Sequence, residues 1–262
     1  MGKVAANPEQ SKHLETGTTR IMGLECDFVG LRSETYTDSR IPDQVQLGTP
    51  EEDALRRDLT INSLFYNVHT RQVEDYTGRG LADLASKVAR TPLPPKQTFE
   101  DDPLRVLRCI RFASRFDLSV ADEVTEAIKQ PEIQVSTPFE SETDPQSSLR
   151  TKVSKERVGI EVHKMMKHRP LRAISLIDSL GLHDSIFTSE FNPPRQDALR
   201  CAEILSHLPD SFQTQDEILW MGAALSPFRG LVCKQKKKEV PAISVVLSDS
   251  LKVSSAVVDV AN

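Results

Sequence analysis

The chain has 262 residues, of which 38% are apolar and 27% charged, and its formal net charge at pH 7 is −5. This composition suffices for one or two buried cores and excludes a globally basic field, so RNA contacts would need local basic patches. No apolar run reaches the ~20 residues that a membrane-spanning helix needs. The four cysteines lack the C-x-x-C spacing of zinc sites. These features predict an intracellular protein without a membrane anchor.

The first fifty residues indicate an α/β start. Hydrophobic patterning predicts a helix over 10–20, a strand over 21–32 and a polar loop over 33–50. Side chains alternate in CDFVGLR, so Asp27 either faces a site or points to water from an edge strand. Both placements of this carboxylate stay open.

The next segment, DALRRDLTINSLFYN, begins at Asp53 and is predicted to form a helix over about 52–66, because its leucines recur near the helical period. Asp58 and Asn62 are four residues apart, so they would share one helical face. The polar cluster comprises Arg56, Arg57, Asp58 and Asn62. Such groups could bind a ribose hydroxyl and a phosphate, or they could form a structural salt-bridge network.

Short elements follow this segment. Residues Val68–Tyr76 predict a hairpin around Thr70-Arg71, Leu81–Ser86 a helical turn, and Val88–Thr91 a strand. The prolines of Pro92–Pro95 end this region.

The stretch TFEDDPLRVLRCIRFASRFDL, residues 98–118, predicts a helix over about 99–117. Its arginines fall in one angular sector: Arg105, Arg108, Arg111 and Arg115. Asp102 lies one turn before Arg105, so an acceptor and a rigid donor fork could read the polar edge of a base. The alternative is a solvated arginine face with an acid near the helix start.

The remainder of the chain is predicted to be mostly helical. Helices are expected near 120–130, 154–167, 169–181, 195–208 and 215–225. Ser136–Thr151 is rich in Pro, Ser and acids, which predicts a polar surface insert. We expect a boundary around residue 93, at the proline-rich breaker.

Four motifs occur in the order and spacing of one family. They are Arg-Arg-Asp-x-Thr-x-Asn from Arg56, VEDYTGRGLADL from Val73, Asp-Asp-Pro-Leu-Arg-Val-Leu-Arg-x-x-Arg-Phe from Asp101, and VSKERVGIEVHKMM from Val153. With them the chain resembles the class II tRNA nucleotidyltransferases, the eukaryotic-type CCA-adding enzymes. The resemblance implies an α/β remnant of a nucleotidyltransferase head, followed by a mostly α-helical neck and body. Three units would follow, a partial head (1–92), a nucleotide- and RNA-binding neck (93–187) and the start of the body (188–262).

The resemblance also implies an activity and a set of site residues. Family members add CMP, CMP and AMP from CTP and ATP to the tRNA 3′ end without a nucleic-acid template. By residue-wise match, Asp102 and Arg105 would read the base. The other implied nucleotide-binding residues are Arg56, Arg57, Asp58, Asn62, Arg108 and Arg111, and the implied RNA-binding residues are Arg115, Lys155 and Arg157.

One part of the family pattern is missing. Family members hold Mg²⁺ with an Asp-x-Asp strand that follows Gly-Gly-x-Val-Arg-Asp, and no Asp-x-Asp occurs before Arg56. The resemblance therefore implies Mg²⁺ for the full-length enzyme but no metal ligands here, apart from Asp27 as a candidate third carboxylate. Losing a metal clamp removes a large electrostatic contribution to phosphoryl transfer, so we expect residues 1–262 to be inactive alone.

Two other functions remain open at the level of sequence. A bacterial-type poly(A) polymerase shares these motifs and adds only A, and a non-catalytic nucleotide- or RNA-binding protein would need no metal. The resemblance implies the cytoplasm, nucleus or mitochondrion, with no targeting peptide expected in this chain. No obligate protein partner is evident.

Overall fold

The computed structural model describes residues 2–4, 16–35, 44–134, 153–191, 193–208, 217–235 and 238–252. The insert predicted at 136–151 lies outside these described residues.

The chain begins with antiparallel strands. Strands β1 (Gly2–Val4), β2 (Thr16–Ile21) and β3 (Leu24–Val29) form one sheet in the order β1-β2-β3. Strands β4 (Arg32–Thr35) and β5 (Gln44–Leu47) pair in a second, two-stranded sheet.

Two predictions for this region are wrong. The helix expected over 10–20 is a strand from Thr16 onward, because threonines favour the extended backbone and the Met22-Gly23 turn, with positive φ at both residues, closes a hairpin. The loop expected over 33–50 contains β4 and β5. Here cross-strand pairing gives order to a polar stretch that has no hydrophobic period.

Helix α1 (Pro50–Leu55) begins with a capping box between Thr49 and Glu52. The predicted helix over 52–66 is wrong beyond Leu55. The Asp58 carboxylate accepts the amide of Leu59, which a continuing helix would have bonded to a backbone carbonyl. A 3-10 turn (Thr60–Asn62) then leads into the hairpin of β6 (Leu64–Asn67) and β7 (Gln72–Asp75). The predicted turn around Thr70-Arg71 is confirmed, but the first strand lies before the predicted bounds of Val68–Tyr76.

Helix α2 (Gly80–Ser86) and strand β8 (Val88–Ala89) follow as predicted. The helix expected over 99–117 is two helices, α3 (Pro95–Asp101) and α4 (Leu104–Phe116). Pro103 disfavours a helical backbone at the residue before it, and Asp102 accordingly has φ −141° and ψ 100°. Strand β9 (Ser119–Val120) then pairs in parallel with β8.

The rest of the described chain is helical apart from one hairpin, and the five helices predicted there are confirmed. The elements are α5 (Asp122–Ile128), α6 (Pro131–Gln134), α7 (Lys155–Lys167), α8 (Pro170–Ser179), α9 (His183–Ile186), α10 (Gln196–Ser206), α11 (Glu217–Ala224), β10 (Val232–Gln235), β11 (Lys238–Pro241), α12 (Ala242–Val245) and a π-helical turn (Val246–Ser250).

The core forms where α4 packs against α7 and α8, and α8 against α10. Its largest fully buried side chains include Phe99, Leu107, Ile110, Met165 and Ile177. Burying one such side chain contributes about 1.5–3 kcal/mol. Among the described residues, no helix combines the length and the apolar character needed to cross a bilayer. The three-unit division stays a prediction.

Candidate nucleotide and RNA site

One buried carboxylate holds the two arginines of the Arg-Arg-Asp motif. Asp53 Oδ1 accepts from Arg56 Nε at 3.0 Å and Arg56 Nη2 at 2.5 Å. Asp53 Oδ2 accepts from Arg57 Nε at 3.0 Å and Arg57 Nη2 at 2.7 Å, and the backbone amide of Arg32 donates to Oδ1 at 3.1 Å. Burial alone would raise the pKa of Asp53, but hydrogen bonds from Arg57, Arg56 and the Arg32 amide outweigh it and lower the pKa.

A second carboxylate joins the head to α4. Asp58 Oδ1 accepts from Asn62 Nδ2 at 3.0 Å, and Asp58 Oδ2 accepts from Arg108 Nε at 2.7 Å. Asp58 and Asn62 do meet as predicted, although they meet across a 3-10 turn rather than on one helical face. Within the described part of the chain, the terminal nitrogens Nη1 and Nη2 of Arg108 have no hydrogen-bond partner. This half-buried guanidinium therefore has donors available for an anion.

Asp102 and Arg105 have different partners in the structure. Arg105 is buried, and its Nη2 donates to the Arg56 carbonyl at 2.7 Å. Asp102 Oδ1 accepts the Leu104 amide at 3.1 Å, while Oδ2 accepts Arg157 Nη2 of α7 at 3.3 Å. The base-reading role of Asp102 and Arg105 stays a prediction.

The four arginines of α4 do not share one environment, because some are buried and others reach the surface. Arg111 is buried, donates through Nε to Glu161 Oε2 at 2.5 Å and lies 4.0 Å above the centre of the Phe112 ring. Because Arg105 is buried as well, the alternative of one solvated arginine face is excluded. Arg111 therefore links α4 to α7 in the folded chain.

The residues predicted to bind RNA are accessible to different degrees. Arg115 and Lys155 are exposed, and the Arg115 guanidinium lies 5.2 Å from the centre of the Phe116 ring. Arg157 is half-buried and pairs with Asp102. Their contact with RNA stays a prediction.

Asp27 is exposed on β3, opposite Thr18 of β2. In the described ranges, no group of three or more His, Cys, Asp or Glu side chains is placed to hold a metal ion. No chemical step is assigned to a metal here. The role of Asp27 as a candidate carboxylate stays a prediction.

Sequence reasoning missed Asp53 and Glu161. Asp53 precedes Arg56 and Arg57 by three and four residues, a spacing that places opposite charges together on a helix and could have identified it. Glu161 is fifty residues from Arg111, so no local pattern could have joined the two.

Comparisons with known proteins identify related sequences. The family described as Poly A polymerase head domain matches residues 2–90. The tRNA nucleotidyltransferase cca1 of Schizosaccharomyces pombe is 39% identical over 97% of this chain and 52% of its own length. The mitochondrial CCA tRNA nucleotidyltransferase of Saccharomyces cerevisiae is 54% identical over 71% of this chain and 32% of its own length. The chain thus spans about half or less of these relatives.

The fold is also similar to that of solved structures. A tRNA nucleotidyltransferase complexed with a primer tRNA and an incoming ATP analogue aligns with a TM-score of 0.67 and 20% identity, over 94% of this chain and 64% of that chain. This similarity confirms the predicted α/β head followed by helices. The ordered motifs, the head-domain match and the similarity to both yeast enzymes lead to one conclusion: the chain belongs to the class II tRNA nucleotidyltransferase family.

Proposed function

We propose that this chain carries the nucleotide-binding part of a CCA-adding tRNA nucleotidyltransferase, which transfers CMP and AMP from CTP and ATP to tRNA 3′ ends. The observation that carries the proposal is the contact between the head and α4, where Asp58 holds both Asn62 and Arg108. The carboxylate of Asp58 and the amide of Asn62 can form hydrogen bonds with ribose hydroxyls, and the available Nη donors of Arg108 can bind a phosphate.

Each part of the set has a chemical role in the proposal. Asp58 and Asn62 face the ribose hydroxyls, and the Nη groups of Arg108 bind the triphosphate, with Arg56 and Arg57 beside them. Asp102 and Arg105 offer an acceptor and donors to the edge of C or A. A fixed pair of this kind rejects G and U, because those bases would leave polar groups unpaired. Arg111 supports α4 through Glu161.

The tRNA 3′ end is the proposed macromolecular partner. Arg115, Lys155 and Arg157 would contact its phosphates, so affinity should fall by roughly 0.7–0.9 log units per log unit of salt for each contact. Mg²⁺ is proposed as the cofactor of the full-length enzyme. The name of one yeast relative, which is mitochondrial, supports a location inside the cell, and by family resemblance we propose the cytoplasm, nucleus or mitochondrion.

The test is equilibrium binding of CTP and ATP to residues 1–262, together with Mg²⁺-dependent incorporation of labelled CTP and ATP into tRNA lacking its 3′ end by a full-length enzyme that carries the Asp-x-Asp strand. Binding of both nucleotides is expected. Incorporation of A without C would instead favour a poly(A) polymerase, and failure to bind either nucleotide would contradict the proposal. With an active full-length enzyme, Asp102→Ala should relax the preference for CTP over UTP.

A further inference from the structure

Asp53 is unusual because a single buried carboxylate accepts two guanidinium groups. Its side chain is 3% exposed, while those of Arg56 and Arg57 are 23% and 35% exposed. Each of its oxygens accepts two hydrogen bonds from one arginine. The inner edges of both guanidiniums are therefore fixed on Asp53, and their remaining donors are directed elsewhere.

Arg56 and Arg57, the two partners of Asp53, make further contacts with the proposed site. Arg57 Nη1 donates to the backbone carbonyl of Asn62 at 2.8 Å, and its guanidinium lies 4.8 Å from the centre of the Phe65 ring. The backbone carbonyl of Arg56 accepts Arg105 Nη2 at 2.7 Å. Asp53 thus connects to the turn that carries Asn62 on one side and to the proposed base-reading arginine on the other.

We propose that Asp53 is a positioning residue of the nucleotide site, which fixes the turn carrying Asp58 and Asn62 through Arg57. The inference rests on the proposed function, because it assigns a role within the same site. Without the carboxylate, two like charges would be left close together near the surface, and the Arg57 guanidinium would lose the two hydrogen bonds that fix its inner edge. The Asn62 carbonyl would lose a donor that is held in place.

A merely structural salt bridge would explain the same contacts, so the two roles must be separated. Partial unfolding lowers the amount of competent protein but leaves the affinity of the folded fraction unchanged for every nucleotide. A misplaced ribose-binding turn instead weakens the nucleotide that carries a 2′-hydroxyl more than the one that lacks it. The ratio of the dissociation constants for dCTP and CTP therefore distinguishes positioning from stability.

The experiment measures binding of CTP and dCTP to residues 1–262 and to Asp53→Asn, at a temperature where both are folded. CTP affinity should fall about tenfold, the effect typical of losing a residue that orients a ligand-binding group. The dCTP affinity should fall less, so that the ratio moves towards one. Asp184→Asn is the matched control, because it removes an arginine-paired carboxylate on α9, and its ratio should not change.

If Asp53→Asn does not fold, Asp53→Glu decides, because an added methylene keeps the charge but cannot keep both arginine pairs in place. A smaller shift of the ratio in the same direction is expected for this variant. An unchanged ratio in a folded Asp53 variant would overturn the positioning role alone. Failure of the unaltered chain to bind CTP and ATP would overturn the proposed function, and the positioning role with it.

Discussion

The hairpin of β2 and β3 and the packed pair of α4 and α7 contain the same kinds of residues in opposite environments. In the hairpin, the ion pair Arg20–Glu25 has side chains that are 68% and 86% exposed. Between the helices, the ion pair Arg111–Glu161 has side chains that are 10% and 5% exposed. Burial, rather than the pairing of charges, sets how much each contact contributes to stability.

The largest expected effect comes from breaking the buried pair. Glu161→Gln removes the charge opposite Arg111 and leaves a guanidinium buried between α4 and α7. We expect a loss of about 3 kcal/mol in the free energy of unfolding. Urea denaturation followed by circular dichroism measures it.

The exposed pair provides the matched control. Glu25→Gln should change the free energy of unfolding by no more than about 0.5 kcal/mol, because water already solvates both side chains. If the two variants lost equal stability, the contrast between the two regions would be wrong.

The second prediction compares two glycines in helices. A Cβ on Gly159 of α7 would overlap the backbone carbonyl oxygen of Leu251, whereas a Cβ on Gly222 of α11 would meet nothing within 4 Å. Gly159→Ala should therefore destabilise by about 2 kcal/mol through overpacking. Gly222→Ala should stabilise by roughly 0.5–1 kcal/mol through helix propensity.

Thermal unfolding of both alanine variants tests whether Gly159→Ala lowers the stability while Gly222→Ala raises it. A stabilised Gly159→Ala would show that the segment carrying Leu251 does not pack closely on α7 in solution.

Burial also explains which elements could be predicted from the sequence. Helices α7, α8 and α10 were predicted to within a few residues, because each buries one face and shows the helical period. Helix α11 was also predicted, although its apolar residues are not confined to one face. The strand expected over 21–32 is confirmed by β3, but almost every residue of β3 is exposed, so the alternation in its sequence does not separate a buried face from a solvent face. The break at Asp102-Pro103 is marked in the sequence by the proline, which disfavours a helical backbone at Asp102, but the predicted helix over 99–117 ran through it.

The candidate site was predictable only in part. The proximity of Asp58 and Asn62 follows from their spacing, and it survives the change from a helix to a 3-10 turn. The partners of Asp102 and Arg111 lie on α7, some fifty residues along the chain, and only tertiary packing brings them together. Local patterns cannot specify such contacts.

The third prediction concerns acid. Because the pKa of Asp53 is lowered in the folded chain, its contribution to stability is complete above its ordinary value of 3.8 and is lost as the pH falls through the lowered value. The difference in stability between the unaltered chain and Asp53→Asn should therefore be largest near neutral pH and shrink below about pH 4.

Urea midpoints measured from pH 7 down to pH 2 test this dependence. A difference that stays constant across that range would mean that the Asp53 carboxylate does not titrate with a lowered pKa in the fold.

The last prediction concerns an exposed apolar side chain in the hairpin of β2 and β3. Leu24 and Phe28 project from the same face of β3, and Phe28 is 53% exposed, so a serine there removes little packing. Phe28→Ser should cost at most about 1 kcal/mol, the range of strand propensities. Its larger effect should be on self-association, because exposed apolar side chains on an edge strand promote contact between chains.

Light scattering measured as a function of protein concentration should show less association for Phe28→Ser than for the unaltered chain. The control Val68→Ser, in the turn after β6, should show no change. Equal scattering by the unaltered chain, Phe28→Ser and Val68→Ser would mean that the apolar surface of the hairpin does not drive self-association.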